Sequence, residues 1–306
     1  MIVFCGYANR DLTVSVPALP GVGSRVQATD VRDSDGGMGA NAAVAAARVG
    51  ADARFAGVVG PDERSTAFLR ALARDGVDTG LTQRTASLTT AIVLLTPDGE
   101  RAIISQDDQL DTARITELFD TAAAAGADWL YLDGYRFPAA HTALDGRPGP
   151  GVVVDLDGCA GPAAVRAALS LASHAVIGRA LAAELVGDDD ALAEVALGHQ
   201  VYLVVTDGAR GWTLFEPGGG RHDGAALAVT SVDSTGAGDC FVGSYCAELD
   251  RGAAPVEAAR FASVAAGLSC TRPGARDGLP RRDAVVAELT QLTAAGATNT
   301  RTPCAR

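Results

Sequence analysis

The chain has 306 residues, 48% of them hydrophobic, and a formal net charge of −12 from 25 basic and 37 acidic residues. That length and apolar share can fill one large α/β core. The negative balance excludes a protein that coats nucleic acid or an anionic membrane, because both need a positive field. All 25 basic residues are arginine, which also excludes P-loop and Schiff-base mechanisms that require a lysine. The six cysteines form no C-x-x-C pair and the four histidines are scattered, so spacing shows no zinc or cluster site. With no leader-like start and no apolar run of about 18 residues, the expectation is a reduced, cytoplasmic, soluble protein.

In chain order, residues 2–5 predict a short buried strand opening on Gly6. Residues 12–16 and 25–33 read as strands without covering helices. An alanine-rich helix follows at 41–49, ended by Gly50 as a C′ glycine. Residues 54–59 form the next strand and 65–75 the next helix, stopped at Gly76. Residues 89–96 and 101–106 alternate β-formers around Pro97-Asp98-Gly99-Glu100, a hairpin signal. Apolar strands at 129–132, 151–156, 174–177 and 201–206 are each followed by a helix or turn. This alternation implies a parallel sheet covered on both faces. The helix-free strands, within roughly 11–35 and 88–107, imply a small separate sheet that serves as a lid. A core domain is expected over 1–290 and a disordered tail over 291–306.

Residues 233–239 read Asp-Ser-Thr-Gly-Ala-Gly-Asp, between an apolar run at 225–232 and a helical stretch at 240–249. This is a glycine turn between a strand and a helix. Such a turn aims several backbone N–H groups and the positive end of a helix dipole at one point, which suits an anion. Asp239 then stands beside an anion site, where a base would be useful.

A second glycine cluster, Gly36-Gly37-Met38-Gly39-Ala40-Asn41, formally fits the dinucleotide fingerprint through Gly37, Gly39 and Ala42. Residues 30–35 are too polar for the buried strand that the fingerprint needs, so the nicotinamide reading lacks its βαβ context. The other readings are a tight turn alone, or a grip on vicinal hydroxyls by Asn41 with Asp11, whose carboxamide and carboxylate donate and accept in the plane of a diol.

Together, Asn9-x-Asp11, Gly36-Gly37-x-x-x-Asn41, Thr206-Asp207-Gly208-x-x-Gly211, Asp233 to Asp239 and Thr271-Arg272-Pro273-Gly274-Ala275 resemble the ribokinase-like sugar kinases, the phosphofructokinase-B family. The similarity runs over about residues 2–287. It implies a three-layer α/β/α sandwich with a mostly parallel central sheet and a small β-sheet lid. It further implies an ATP-dependent kinase acting on a primary hydroxyl of a small sugar such as ribose, fructose or an anionic relative. Asp239 would be the general base and Gly236, Ala237 and Gly238 the anion hole. Asp11, Gly36, Gly37 and Asn41 would bind sugar, with Gly36 and Gly37 as lid hinge. Thr206, Gly208, Gly211 and Gly238 would line the ATP site. Asp233 and Thr235 match residues associated with a monovalent cation, usually potassium, and capping of the turn is the other role open to Asp233. A homodimer through the lid is the implied assembly.

The chain departs from the family where many members carry Asn-x-x-Glu to organise magnesium; here the residues are Gly178-Arg179-Ala180-Leu181. Magnesium is still expected, because ATP phosphates need a hard cation. Glu184 is the nearest carboxylate, out of phase on its helix. Tyr135-Arg136 and residues 270–276 are similar to the sulfofructose kinase branch, so Arg136 and Arg25 are candidates for an anionic sugar group, with surface solvation as the alternative. Asp188-Asp189-Asp190 reads as a helix cap and Cys240 as a small core residue, while His222 has no legible partner. A nucleoside kinase of the same fold and a non-catalytic sugar sensor are the rival functions.

Overall fold

Strand β1 (Ile2–Cys5) shows how the core is built: Ile2 and Phe4 enter one apolar cluster, Val3 and Cys5 another. Successive side chains of a strand face opposite ways, so a continuous apolar run needs cover on both sides. The computed structural model describes residues 1–97, 101–106 and 110–298. Elements are numbered in chain order. The larger sheet also contains β4 (Ala53–Ala56), β7 (Trp129–Asp133), β8 (Gly151–Asp155), β9 (His174–Gly178), β10 (Tyr202–Thr206), β11 (Trp212–Phe215) and β12 (Arg221–Gly224). Its order is β12-β11-β10-β9-β8-β7-β1-β4, parallel from β4 through β10 and antiparallel at the β11 and β12 edge.

One face is covered by α1 (Met38–Arg48), α2 (Glu63–Arg74), α8 (Ala237–Asp250), α9 (Pro255–Ser269) and α10 (Arg282–Thr298). The other is covered by α3 (Thr112–Ala124), α4 (Ala139–Leu144), α5 (Pro162–Leu169), α6 (Arg179–Leu185) and α7 (Asp189–His199). The expected three-layer α/β/α sandwich is therefore present. Asp188 caps α7 by accepting the Ala191 N–H at 3.1 Å, and Cys240 is a fully buried core residue. Glu184 is exposed, and His222 finds Glu216 at 3.0 Å. No helix of the described residues is long and apolar enough to cross a membrane.

The second sheet has the order β3-β2-β5-β6, from β2 (Asn9–Ser15), β3 (Asp30–Gly36), β5 (Thr89–Leu95) and β6 (Arg101–Ser105). This is the expected lid, with one shift. The third strand begins at Asp30 rather than Arg25 and takes in the polar run 30–35, which is exposed on a lid and so never needed to be apolar. The Pro97–Glu100 turn continues into residues 98–100, outside the described residues.

Two other expectations change. The apolar run 225–232 has no strand partner; it crosses as an extended connection from β12 toward α9, where Leu227 packs against Gly267. Helix α10 runs through residues 291–298, which were assigned to the tail, and 299–306 lie outside the described residues.

Helices α1 and α8 touch at Gly243, where any side chain would collide with the Ala42 carbonyl oxygen. The Gly243→Ala protein is expected to lose about 2 kcal/mol of stability in urea unfolding, the usual cost of overpacking a closed contact.

Candidate active site

The turn at 233–239 is built around Gly236, which caps α8 with φ 76° in the left-handed region. A β-carbon there would come within 2.9 Å of Ala275, so glycine is required for space as well as for conformation. The helix starts at Ala237, three residues earlier than the sequence suggests, which puts the anion-hole residues in its first turn. The Ala237 N–H is already spent on the Ser234 carbonyl at 3.2 Å. The Gly236 and Gly238 N–H groups have no partner among the described residues and remain for an anion at the positive end of the dipole. Asp233 accepts from Thr235 N–H at 2.9 Å and Gly274 N–H at 2.8 Å, so its carboxylate ties this turn to the segment after α9.

Asp239 accepts a 2.8 Å hydrogen bond from Asn41 Nδ2 across the α1/α8 contact. Burial pushes its carboxyl up to about 7; the Asn41 bond opposes this, and the carboxylates of Asp133, Asp11 and Asp157 add to it. A carboxylate so raised is a far better proton acceptor than an exposed one. Asn41 Oδ1 in turn accepts from Arg276 Nε at 2.7 Å, and Arg276 Nη2 donates to the Gly36 carbonyl at 3.1 Å. Arg276 stands out as the residue that sequence reasoning passed over.

Asp11, on β2, faces Gly36, where any side chain would collide with its carboxylate. Burial raises its pKa, while the hydrogen bond from Asn9 and the charge of Arg276 pull it down. Gly37 caps α1 at φ 99°, pressed against the Tyr7 carbonyl. The structure thus brings Asp11, Gly36, Gly37, Asn41 and Asp239 into one cluster. Arg136 is a buried cation paired with Asp133 at 3.2 Å, so the surface alternative for it is overturned. Arg25 is an exposed residue of the connection between β2 and β3.

At the other end, Thr206 closes β10, Gly208 opens a short 3-10 turn, and Gly211 at φ 104° sits hard against the Gly224 carbonyl. A cavity of about 320 Å³ beside them is lined by Arg179, Asp207, Arg210, Trp212, Thr213 and Asp223. Arg179 occupies the stretch where Asn-x-x-Glu is missing and pairs with Asp189 at 2.5 Å. Asp157 accepts the Gly178 N–H at 3.0 Å and burial raises its pKa; burial holds that of Asp155 well above the carboxylate range. Among the described residues no group of three or more side chains could hold a metal ion.

The raised pKa of Asp239 has a consequence for stability. An aspartate ionises near 3.9 in the unfolded chain, so the folded state keeps its proton longer, and the stability that the proton supplies is lost as pH rises toward about 7. Asp239→Asn removes this penalty. Its Tm is expected to equal the parent's near pH 4 and to exceed it by roughly 5 °C at pH 8, read by calorimetry at both pH values.

The chain matches the family model described as pfkB family carbohydrate kinase over residues 1–282. It is 28% identical over 292 residues to a ribokinase of Bacillus subtilis, covering 93% of this chain and 97% of that protein. It is 29% identical over 302 residues to an ATP-dependent ribose-1-phosphate kinase of Halopiger xanaduensis, covering 95% and 98%. Among solved structures, a ribokinase from Thermotoga maritima superposes with a TM-score of 0.83 at 26% identity, covering 95% of this chain and 99% of that one. The family match takes in the lid, the Gly36-Gly37 turn and the Asp239 turn together, and the chain belongs to the pfkB family of carbohydrate kinases, phosphotransferases with an alcohol group as acceptor.

Proposed function

We propose that the protein transfers the γ-phosphoryl of ATP to a primary hydroxyl of ribose or a closely related neutral sugar, with Asp239 as general base. The observation that carries this reading is the Asp239 carboxylate, raised to about 7 and held by Asn41, in the first turn of a helix whose Gly236 and Gly238 N–H groups are unspent. As the sugar oxygen bonds to phosphorus, its proton passes to Asp239 and the bond from phosphorus to the β-phosphate bridging oxygen breaks, releasing ADP. The helix N-terminus stabilises charge on the phosphoryl oxygens, and such positioning and electrostatics make up most of phosphoryl-transfer catalysis. Asp11 and Asn41 would hold the sugar hydroxyls, and Thr206, Gly208, Gly211 and Gly238 the nucleotide. Arg136 is buried with its Nε on the Asp133 carboxylate, and Arg25 lies exposed.

Magnesium bound with ATP would neutralise phosphate charge. Such an ion keeps much of its water and phosphate coordination, and Asp157 at the Gly178 turn would hold it. Asp233 and Thr235 would hold potassium behind the anion turn.

The lid also offers a surface. By register, Leu12, Val14, Val31, Ile92, Leu94 and Ile104 share the face opposite Asp11. Val31 and Ile104 are 56% and 62% exposed. We propose that a second copy of the chain covers this face. Sedimentation is expected to show a dimer that Ile104→Arg converts to a monomer; an unchanged mass would overturn the assignment.

ADP release from a panel of neutral and anionic sugars, with and without potassium, tests the substrate; turnover of anionic sugars alone would sink the neutral reading. Asp239→Asn is expected to bind sugar normally in calorimetry and to lose about 10³-fold in kcat, the scale of a positioned base. The kcat/KM of the native enzyme should fall tenfold per unit as pH drops below about 7, where Asp239 takes up its proton.

A further inference from the structure

We infer that Arg276 is a positioning residue for phosphoryl transfer: its guanidinium fixes the amide of Asn41 in the one orientation that presents an N–H to the base. The inference rests on the reading of Asp239 as that base.

The argument is one of donor inventory. An amide side chain can be turned end over end with little change in shape, so its partners decide which end is oxygen. Asp239, ionised, only accepts, and Arg276 only donates. Arg276 Nε lies 2.7 Å from one end of the Asn41 amide and Asp239 Oδ2 lies 2.8 Å from the other. The pair therefore admits a single assignment, with Oδ1 toward Arg276 and Nδ2 toward Asp239. This holds Asp239 by Oδ2 and leaves Oδ1 for the sugar hydroxyl. Without Arg276 the amide loses the bond that anchors its Oδ1 and is free to swing away from the carboxylate, so the N–H that holds Asp239 is no longer fixed in place.

Arg276 is itself held from several sides. Its Nη2 donates to the Gly36 carbonyl at 3.1 Å, its Cζ stands 5.0 Å over the Phe68 ring, and Arg48 grips its carbonyl at 2.5 Å. Its Nη1 is buried without a hydrogen-bond partner, 4.0 Å from Asp35. A buried cation left partly unsatisfied is a poor way to fill space, since its desolvation exceeds what packing returns. The planar fork reaching both Asn41 and the end of a lid strand is what lysine or an apolar side chain cannot reproduce.

The test is a double-mutant cycle on the full chain with ribose and ATP at saturation, joining Arg276→Gln and Asn41→Ala, beside Asp239→Asn. Arg276→Gln is expected to lower kcat at least tenfold with KM for ATP unchanged within twofold. In the Asn41→Ala background the same change should cost less than twofold, because its target is gone. Arg276→Lys, which keeps the charge but not the fork, should recover little of the lost kcat and serves if the glutamine protein fails to fold. Equal losses in both backgrounds, or full activity in a folded Arg276→Lys, would overturn the inference and leave the base standing. An active Asp239→Asn would instead remove the base assignment itself, and this inference with it.

Discussion

The hydrogen bond between Asn41 and Asp239 is the contact on which the rest of the site depends. It joins residues 198 apart in sequence and crosses two helices that must lie nearly in touch. That approach is possible because Gly243 presents bare backbone to Ala42 and because α1 is lined with alanine at its buried face. Small residues bring helix axes close, and close axes let short polar side chains meet. The chain thus gives up side-chain packing at the α1/α8 contact in order to place a carboxamide against a carboxylate.

The sheet determines what surrounds that pair. Parallel strands deliver their carboxyl ends to one edge, where α/β proteins place their ligands. Here the ends of β7 and β8 bring Asp133, Asp155 and Asp157 to the floor beneath Asp239. Burial raises the carboxyls of Asp155, Asp157 and Asp239, and neighbouring carboxylates add to the effect at Asp155 and Asp239. Arg136 pairs with Asp133 and Arg276 lies near Asp11 and Asp239, so the site holds its negative charge at a cost that two buried cations reduce.

Local signals made much of this legible. The turn at 233–239 is seven consecutive residues whose types state their own backbone geometry, and the buried strands announce themselves as short apolar runs. Expectations erred where a segment's fate depends on its neighbours. The run 225–232 has the composition of a strand and no sheet edge to join. Strands β11 and β12 form an antiparallel hairpin through Pro217-Gly218-Gly219-Gly220, and neither strand was expected from the sequence. Arg276 was quoted as part of a family motif, but nothing local indicates its role, since its partners Asn41 and Gly36 lie 235 and 240 residues away. For Arg136 the alternatives were an anionic sugar group and a solvated surface; its burial against Asp133 depends on the fold, and no local signal shows it.

The segment that follows α9 shows how one stretch of chain serves both ends of the site. Gly274 donates its N–H to Asp233, Ala275 fills the space beside Gly236, and Arg276 reaches Asn41 and Gly36. Three consecutive residues therefore touch the turn at 233–239, the amide that holds Asp239, and the last residue of a lid strand. Arg48 fastens the same segment to α1 through the carbonyls of Arg276 and Leu279. This short backbone links Gly36, where the lid strand ends, to the turn where the phosphoryl group would lie. In the proposed reaction, the alignment of sugar, base and anion hole would rest on one continuous backbone segment, which loose side-chain contacts between separate loops would not secure.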